Sequence, residues 1–141
     1  MKIENIKFKA KCLNNQEWTC GFFYKENGNT YIIEDRQKEC MLNRNIPYKV
    51  DPDTVCRFTG LFDKNGKEIY DGDILAHNDK VIGHVVDGVR GYCFDVEYAN
   101  PVSTSTWSLY GVVVNDYKGD VEVVGSIYDP EWQKKLNIKK E

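Results

Sequence analysis

Alanine, the best helix former, is scarce in this 141-residue chain, and there are only two methionines. No apolar run approaches the about 18 residues that a membrane helix needs. The first residues, Met1-Lys2-Ile3-Glu4-Asn5-Ile6-Lys7, alternate charge with apolar side chains and lack the apolar core of a signal peptide. No Cys-x-x-Cys pair occurs among Cys12, Cys20, Cys40, Cys56 and Cys93, which removes the usual zinc-ribbon and thioredoxin-type readings. The expected compartment is therefore the reducing cytosol, where these thiols stay free and serve as small buried hydrophobes. No P-loop, Gly-x-Ser-x-Gly or Gly-x-Gly-x-x-Gly motif is present.

What the chain does have is nine Tyr, six Phe, three Trp and eleven Gly, with a net charge of -3 and both signs interspersed. Aromatic and β-branched residues fit pleated, half-buried surfaces, so the class is a soluble, strand-rich globular protein. Ile6, Phe8, Ala10 and Cys12 alternate with Lys7, Lys9 and Lys11. That period of two predicts a strand with one buried face and one lysine stripe, solvated or at a sheet edge. Trp18–Tyr24 reads as a second strand, apolar almost throughout. Asn27-Gly28-Asn29 supplies a hairpin turn, and Tyr31-Ile32-Ile33 begins a third strand. Residues 34–49, with the charge run Glu34–Glu39, read as an irregular connection.

Beyond it, Asp51 is placed to cap a short helical turn begun by Pro52. Cys56–Phe62, a turn at Asp63–Lys67 and Glu68–Tyr70 form a hairpin. From about 72 to 128 the pattern predicts five short strands, with Trp107–Val114 as the longest, which suits a small SH3-like barrel. Asp129, Pro130 and Glu131 then start a short helix on which Trp132 and Leu136 share a face. The expectation is a predominantly β, α+β protein. Residues 1–48 form an N-terminal β-meander with its connecting segment, and residues 49–141 form an SH3-like small barrel with a short C-terminal helix.

Candidate chemistry is sparse. His77 and His84 match neither a helical nor a same-face strand spacing, and no thiol is close enough in sequence to complete a metal set. Placing Gly66 in the glycine slot of a calcium loop puts Leu61 at the first ligand position and Gly72 where the bidentate Glu belongs, so the loop fails at both ends. Asp51 and Asp53, and Asp71 and Asp73, flank turn residues, where Asp bonds its own backbone. An enzyme would need two or more of Asp71, Asp73, His77 and His84 gathered in one deep pocket. The expectation is no enzyme, with no catalytic, cofactor-binding or metal-binding residue and no cofactor. A protein partner or a second copy leads as binding target, through strand edges or loops, with no membrane. The alternative is single-stranded nucleic acid held by Lys7, Lys9, Lys11 and exposed aromatics; against it stands the expectation that most aromatics alternate into the core.

The central block Val50-Asp51-Pro52-Asp53-Thr54-Val55 followed by Phe58–Ile74 (FTGLFDKNGKEIYDGDI) closely resembles the signature of the YopX family, small proteins of bacteriophages and prophages. Ile6–Ala10 and Val123–Glu131 resemble its first strand and its closing strand and tail. Arg57 stands where the family usually has Gln, Ser126 where it often has Asn, and no extra Asn precedes Pro130. The resemblance implies a β-rich fold with an SH3-like barrel in the C-terminal portion, phage or prophage origin and action in the host cytoplasm. It implies no catalytic residue, since the family has no established one.

Overall fold

The structure, a computed structural model, describes residues 3–34, 47–87, 94–98 and 106–135. Eleven strands lie within these residues: β1 (Phe8–Lys11), β2 (Trp18–Glu26), β3 (Asn29–Ile33), β4 (Pro47–Val50), β5 (Cys56–Phe62), β6 (Glu68–Tyr70), β7 (Asp73–His77), β8 (Lys80–Asp87), β9 (Phe94–Tyr98), β10 (Thr106–Ser108) and β11 (Glu122–Ser126). The chain divides into two compact units, Met1–Phe58 and Thr59–Glu141, and the division falls inside β5.

In the first unit the strands run antiparallel in the order β4-β3-β2-β1-β5. The β2–β3 turn is read correctly from sequence: Asn27 and Gly28 take φ of 50° and 79°, the left-handed pair of a two-residue hairpin. Asp51 accepts a bond from the Asp53 N–H at 3.0 Å and caps the turn Pro52–Thr54, as its sequence predicts. Ala10, Cys12, Ile32 and Val50 form the buried cluster, with Phe8, Tyr48 and Val55 against it. Ile32 and Val50 are the large aliphatics of that cluster, and at about 1.5–3 kcal/mol for each such side chain fully buried they make a thin core. The sheet adds to it by curling. Cys12 bridges Val50, the Leu13 N–H bonds the Lys49 carbonyl at 3.0 Å, and the Asp51 N–H bonds the Lys11 carbonyl at 2.9 Å. The end of β1 thus meets the end of β4.

Two expectations for β1 need correction. It is no edge strand, because β2 and β5 pair on either side. Nor is the lysine stripe simply solvated: Lys11 is only 6% exposed. Its stem lies in the sheet while its ammonium sits 5.4 Å from the Trp18 ring centroid, so a long side chain buries methylenes and keeps its charge over a π face.

In the second unit, β5 continues alongside β6, and a five-stranded antiparallel sheet runs β10-β9-β8-β7-β11. The expected five strands between residues 72 and 128 are present. The expected closed barrel is not found: among the described residues no pairing joins β10 to β11, and the sheet is open. Its core is Ile69, Leu75, Ile82, Val85, Val96, Leu109, Val112, Val113, Val121 and Val123.

The predicted strand over Trp107–Val114 stops at Ser108, and Gly111–Asp116 is a π-helix. A strand would send Val112 and Val113 to opposite faces. The helical turn buries both, beside Leu109, and the Tyr117 N–H reaches back to the Val112 carbonyl at 3.1 Å. The short helix α1 (Pro130–Lys135) forms where expected. The Trp132 and Gln133 N–H groups bond the Asp129 carbonyl, while the Asp129 carboxylate turns back to the Ser126 N–H. Leu136, Cys40, Cys93 and the charged stretch after Glu34 lie outside the described residues. No described helix is long and apolar enough to cross a membrane.

Candidate functional site

Three of the four residues an enzyme reading would need, Asp73, His77 and His84, each have partners of their own in the structure. Asp73 is fully buried and accepts the Tyr70 N–H at 2.8 Å, fixing the turn between β6 and β7. In that turn Gly72 donates to the Val85 carbonyl and accepts from the Ile127 N–H. His77 ends β7: its Nδ1 lies 2.6 Å from the Asp120 carbonyl oxygen, its Nε2 lies 3.2 Å from the Asn78 amide nitrogen, and its ring packs on Tyr117. A single neutral tautomer, with the proton on Nδ1, satisfies both contacts. His84 pairs with Ile74 in the β7–β8 register, so strand alternation sends it to the face opposite His77. Its Nε2 lies 3.5 Å from Glu97. Burial pushes the His84 imidazole below its usual pKa, and Glu97 partly opposes that. Among the described residues no group of three or more His, Cys, Asp or Glu is arranged to hold a metal ion.

Asp63 carries a different duty from the calcium ligand its turn first resembles. Only 6% exposed, its carboxylate accepts the N–H groups of Asn65, Lys67 and Val123 at 2.9, 2.8 and 3.0 Å. Two of these bonds close the β5–β6 turn, and the third reaches β11. Other groups complete that protection of β11. The Lys64 N–H bonds the Val121 carbonyl, the Trp132 indole bonds the Val124 carbonyl, and Asp129 takes the Ser126 N–H. Gly125 makes this possible, since a Cβ there would lie 2.1 Å from the indole nitrogen.

The opposite edge of the same sheet differs. Among the described residues no side chain caps the outer side of β10, and Tyr110 and Val114, on the helical stretch that follows, are 59% and 37% exposed. Periodicity did not reveal this pair, because the run was read as strand.

The first unit carries the second surface. Residues paired across strands share a face, and so do alternate residues along one strand. The lysine face therefore holds four rows: Trp18 with Lys11; Cys20, Lys9 and Cys56; Phe22, Ile33 and Pro47; Tyr24, Tyr31 and Lys49. Lys9 stands 4.6 Å from the Trp18 centroid, Lys7 stands 5.3 Å from that of Phe58, and the Tyr24 and Tyr31 rings stack at 5.1 Å. Of the aromatics expected in the core, Phe22 is exposed here, Trp18, Tyr24 and Tyr31 are half-buried, and Phe58 is buried. Cys20 is exposed here too, unlike buried Cys12, whose thiol is pushed up first by burial and then by Glu34 and Glu17. The sequence showed the lysines of this face; Phe22, Tyr24, Tyr31 and Lys49 join them only once the registers of β3 and β4 are known.

Among known families, the model described as YopX protein matches residues 6–131 of the chain. No curated protein matches the chain.

Proposed function

The chain belongs to the YopX family, and from that premise we propose that it is a non-enzymatic binding module whose target is a polypeptide, either another protein or a second copy of itself. The unequal edges of the five-stranded sheet carry this reading. β11 is covered by Asp63, Lys64, Trp132 and Asp129. β10 has no such cap among the described residues, and exposed Tyr110 and Val114 lie on the helical stretch that follows it. An open strand edge offers backbone bonds, and neighbouring apolar side chains add the contact that makes strand addition selective. The five short strands, with bulges at Leu75–Ala76 and Val123–Gly125, fit an SH3-like module in number and direction. Family membership favours action in the cytoplasm of a bacterial host.

Light scattering over a range of concentrations, with amide exchange on the same samples, tests this. The expected result is a discrete assembly, of two copies or with a captured partner, in which exchange at Thr106–Ser108 slows and which Tyr110→Lys breaks up. A monomer at every concentration that recovers nothing from host lysate, or an assembly indifferent to Tyr110→Lys, overturns it.

A further inference from the structure

We propose that the β10 edge selects a cationic partner: an extended segment of another protein in which lysine or arginine recurs at alternate positions. The inference rests on the reading of β10 as an open edge and adds the chemistry of what fills it. Sheet edges are commonly blunted by lysine, whose charge discourages a second strand. Here that protection is missing. Between Lys80 and Lys118 the sequence contains no lysine; apart from His84, its ionisable acids and bases are Asp87, Arg90, Asp95, Glu97 and Asp116. Four carboxylates against one arginine give an excess equal to that of the whole chain, whose net charge is -3. This stretch supplies nearly all of β8, all of β9 and β10, and the helical stretch that follows.

Placement brings that charge to the edge. Asp95 is buried, while Asp87, Glu97 and Asp116 are exposed. The antiparallel registers put Ile74, His84, Glu97 and Thr106 in one row across β7, β8, β9 and β10. A strand added beside β10 extends that row by one residue. With strands about 4.8 Å apart, that residue stands about 10 Å from Glu97, within reach of a lysine or arginine side chain. The Glu97 side chain is 58% exposed, and its partner in the sheet is His84, 3.5 Å away. Burial holds that imidazole below its ordinary pKa of 6.5, so at pH 7 it is neutral and leaves the carboxylate's charge uncancelled. Asp116 ends the helical stretch, which the Gly111 N–H ties to the Ser108 hydroxyl oxygen at 3.4 Å. Carboxylates therefore lie on both elements next to β10, a strand with no charge of its own. An acidic segment meets like charge there, and an uncharged one forgoes the attraction.

Two short fluorescein-labelled peptides with the full chain test this, one alternating threonine with lysine and the other threonine with glutamate. Anisotropy should show the lysine peptide bound about tenfold or more tightly than the glutamate peptide, by a margin that shrinks as salt rises. Amide exchange at Thr106–Ser108 should slow in the complex. Glu97→Gln should weaken the lysine peptide about two- to fivefold, the worth of an exposed ion pair, and Asp116→Asn should act in the same direction. Both changes lie at exposed positions, and each variant's melting is checked alongside. Equal binding of the two peptides with slowed exchange overturns the charge preference and leaves the open edge standing. Binding of the lysine peptide that leaves exchange at Thr106–Ser108 unaltered, or that Glu97→Gln does not change, places it elsewhere and overturns the inference. No binding of either peptide overturns it as well, and an assembly of the chain alone that slows the same amides then assigns the edge to a second copy.

Discussion

At the scale of single residues, His84 has the clearest consequence. Its imidazole is half-buried, and its pKa in the folded chain lies below the ordinary value of 6.5. Between those two values the unfolded chain binds more protons than the folded one, so stability rises with pH there. The contribution is fully present above 6.5 and is lost as the pH falls through the folded-state pKa. Thermal melts from pH 7.5 to 5.5 should show a decline that His84→Gln makes shallower; parallel pH profiles for the two proteins would refute this account. Sequence alone reveals the histidine and not its setting, since the Glu97 partner comes from the β8–β9 register.

Among elements, local chemistry explains what was legible. Asn27-Gly28 and Asp51-Pro52 act within two or three residues, and both turns form as read. The run Val112–Val114 is the reverse case. A short apolar stretch is compatible with a buried strand or a buried helix, and the decision came from the pocket that accepts Val112 and Val113 side by side. The curl that joins Cys12 to Val50 has no local signal, because it depends on how four strands twist in sequence. One residue permits a close approach within that curl. Gly21 has φ of 157°, and a Cβ there would lie 2.0 Å from the Ile33 carbonyl oxygen. Gly21→Ala should therefore destabilise the chain by about 2 kcal/mol or more, read as a shift in the denaturation midpoint. A midpoint within error of the parent would show that β2 and β3 can part at no cost.

For the whole molecule, the two units differ in what holds them. The first relies on a thin core and a curled sheet, and the second has the larger aliphatic core and a sheet with one capped edge. Trp132 serves that cap and also covers Gly125. Trp132→Ala should then uncover the Val124 carbonyl, while Asp63, Lys64 and Asp129 keep their bonds to β11. A second, partly uncovered edge permits head-to-tail growth, so the expected outcome is a more polydisperse assembly than that of the parent. A variant that stays as monodisperse as the parent would place the protection of β11 elsewhere, with Asp63 and Asp129 alone.

Asp63 also imposes an order of events during synthesis. Its bonds to Asn65 and Lys67 can form as soon as the hairpin leaves the ribosome, whereas its partner Val123 lies 60 residues further along. At roughly 5–20 residues per second that is a delay of about 3–12 s. Over this interval the carboxylate has shaped its own turn and waits with one oxygen uncommitted to protein. The last strand therefore arrives at a surface that already holds an acceptor for its backbone, and the same few atoms that start the unit also mark its completion.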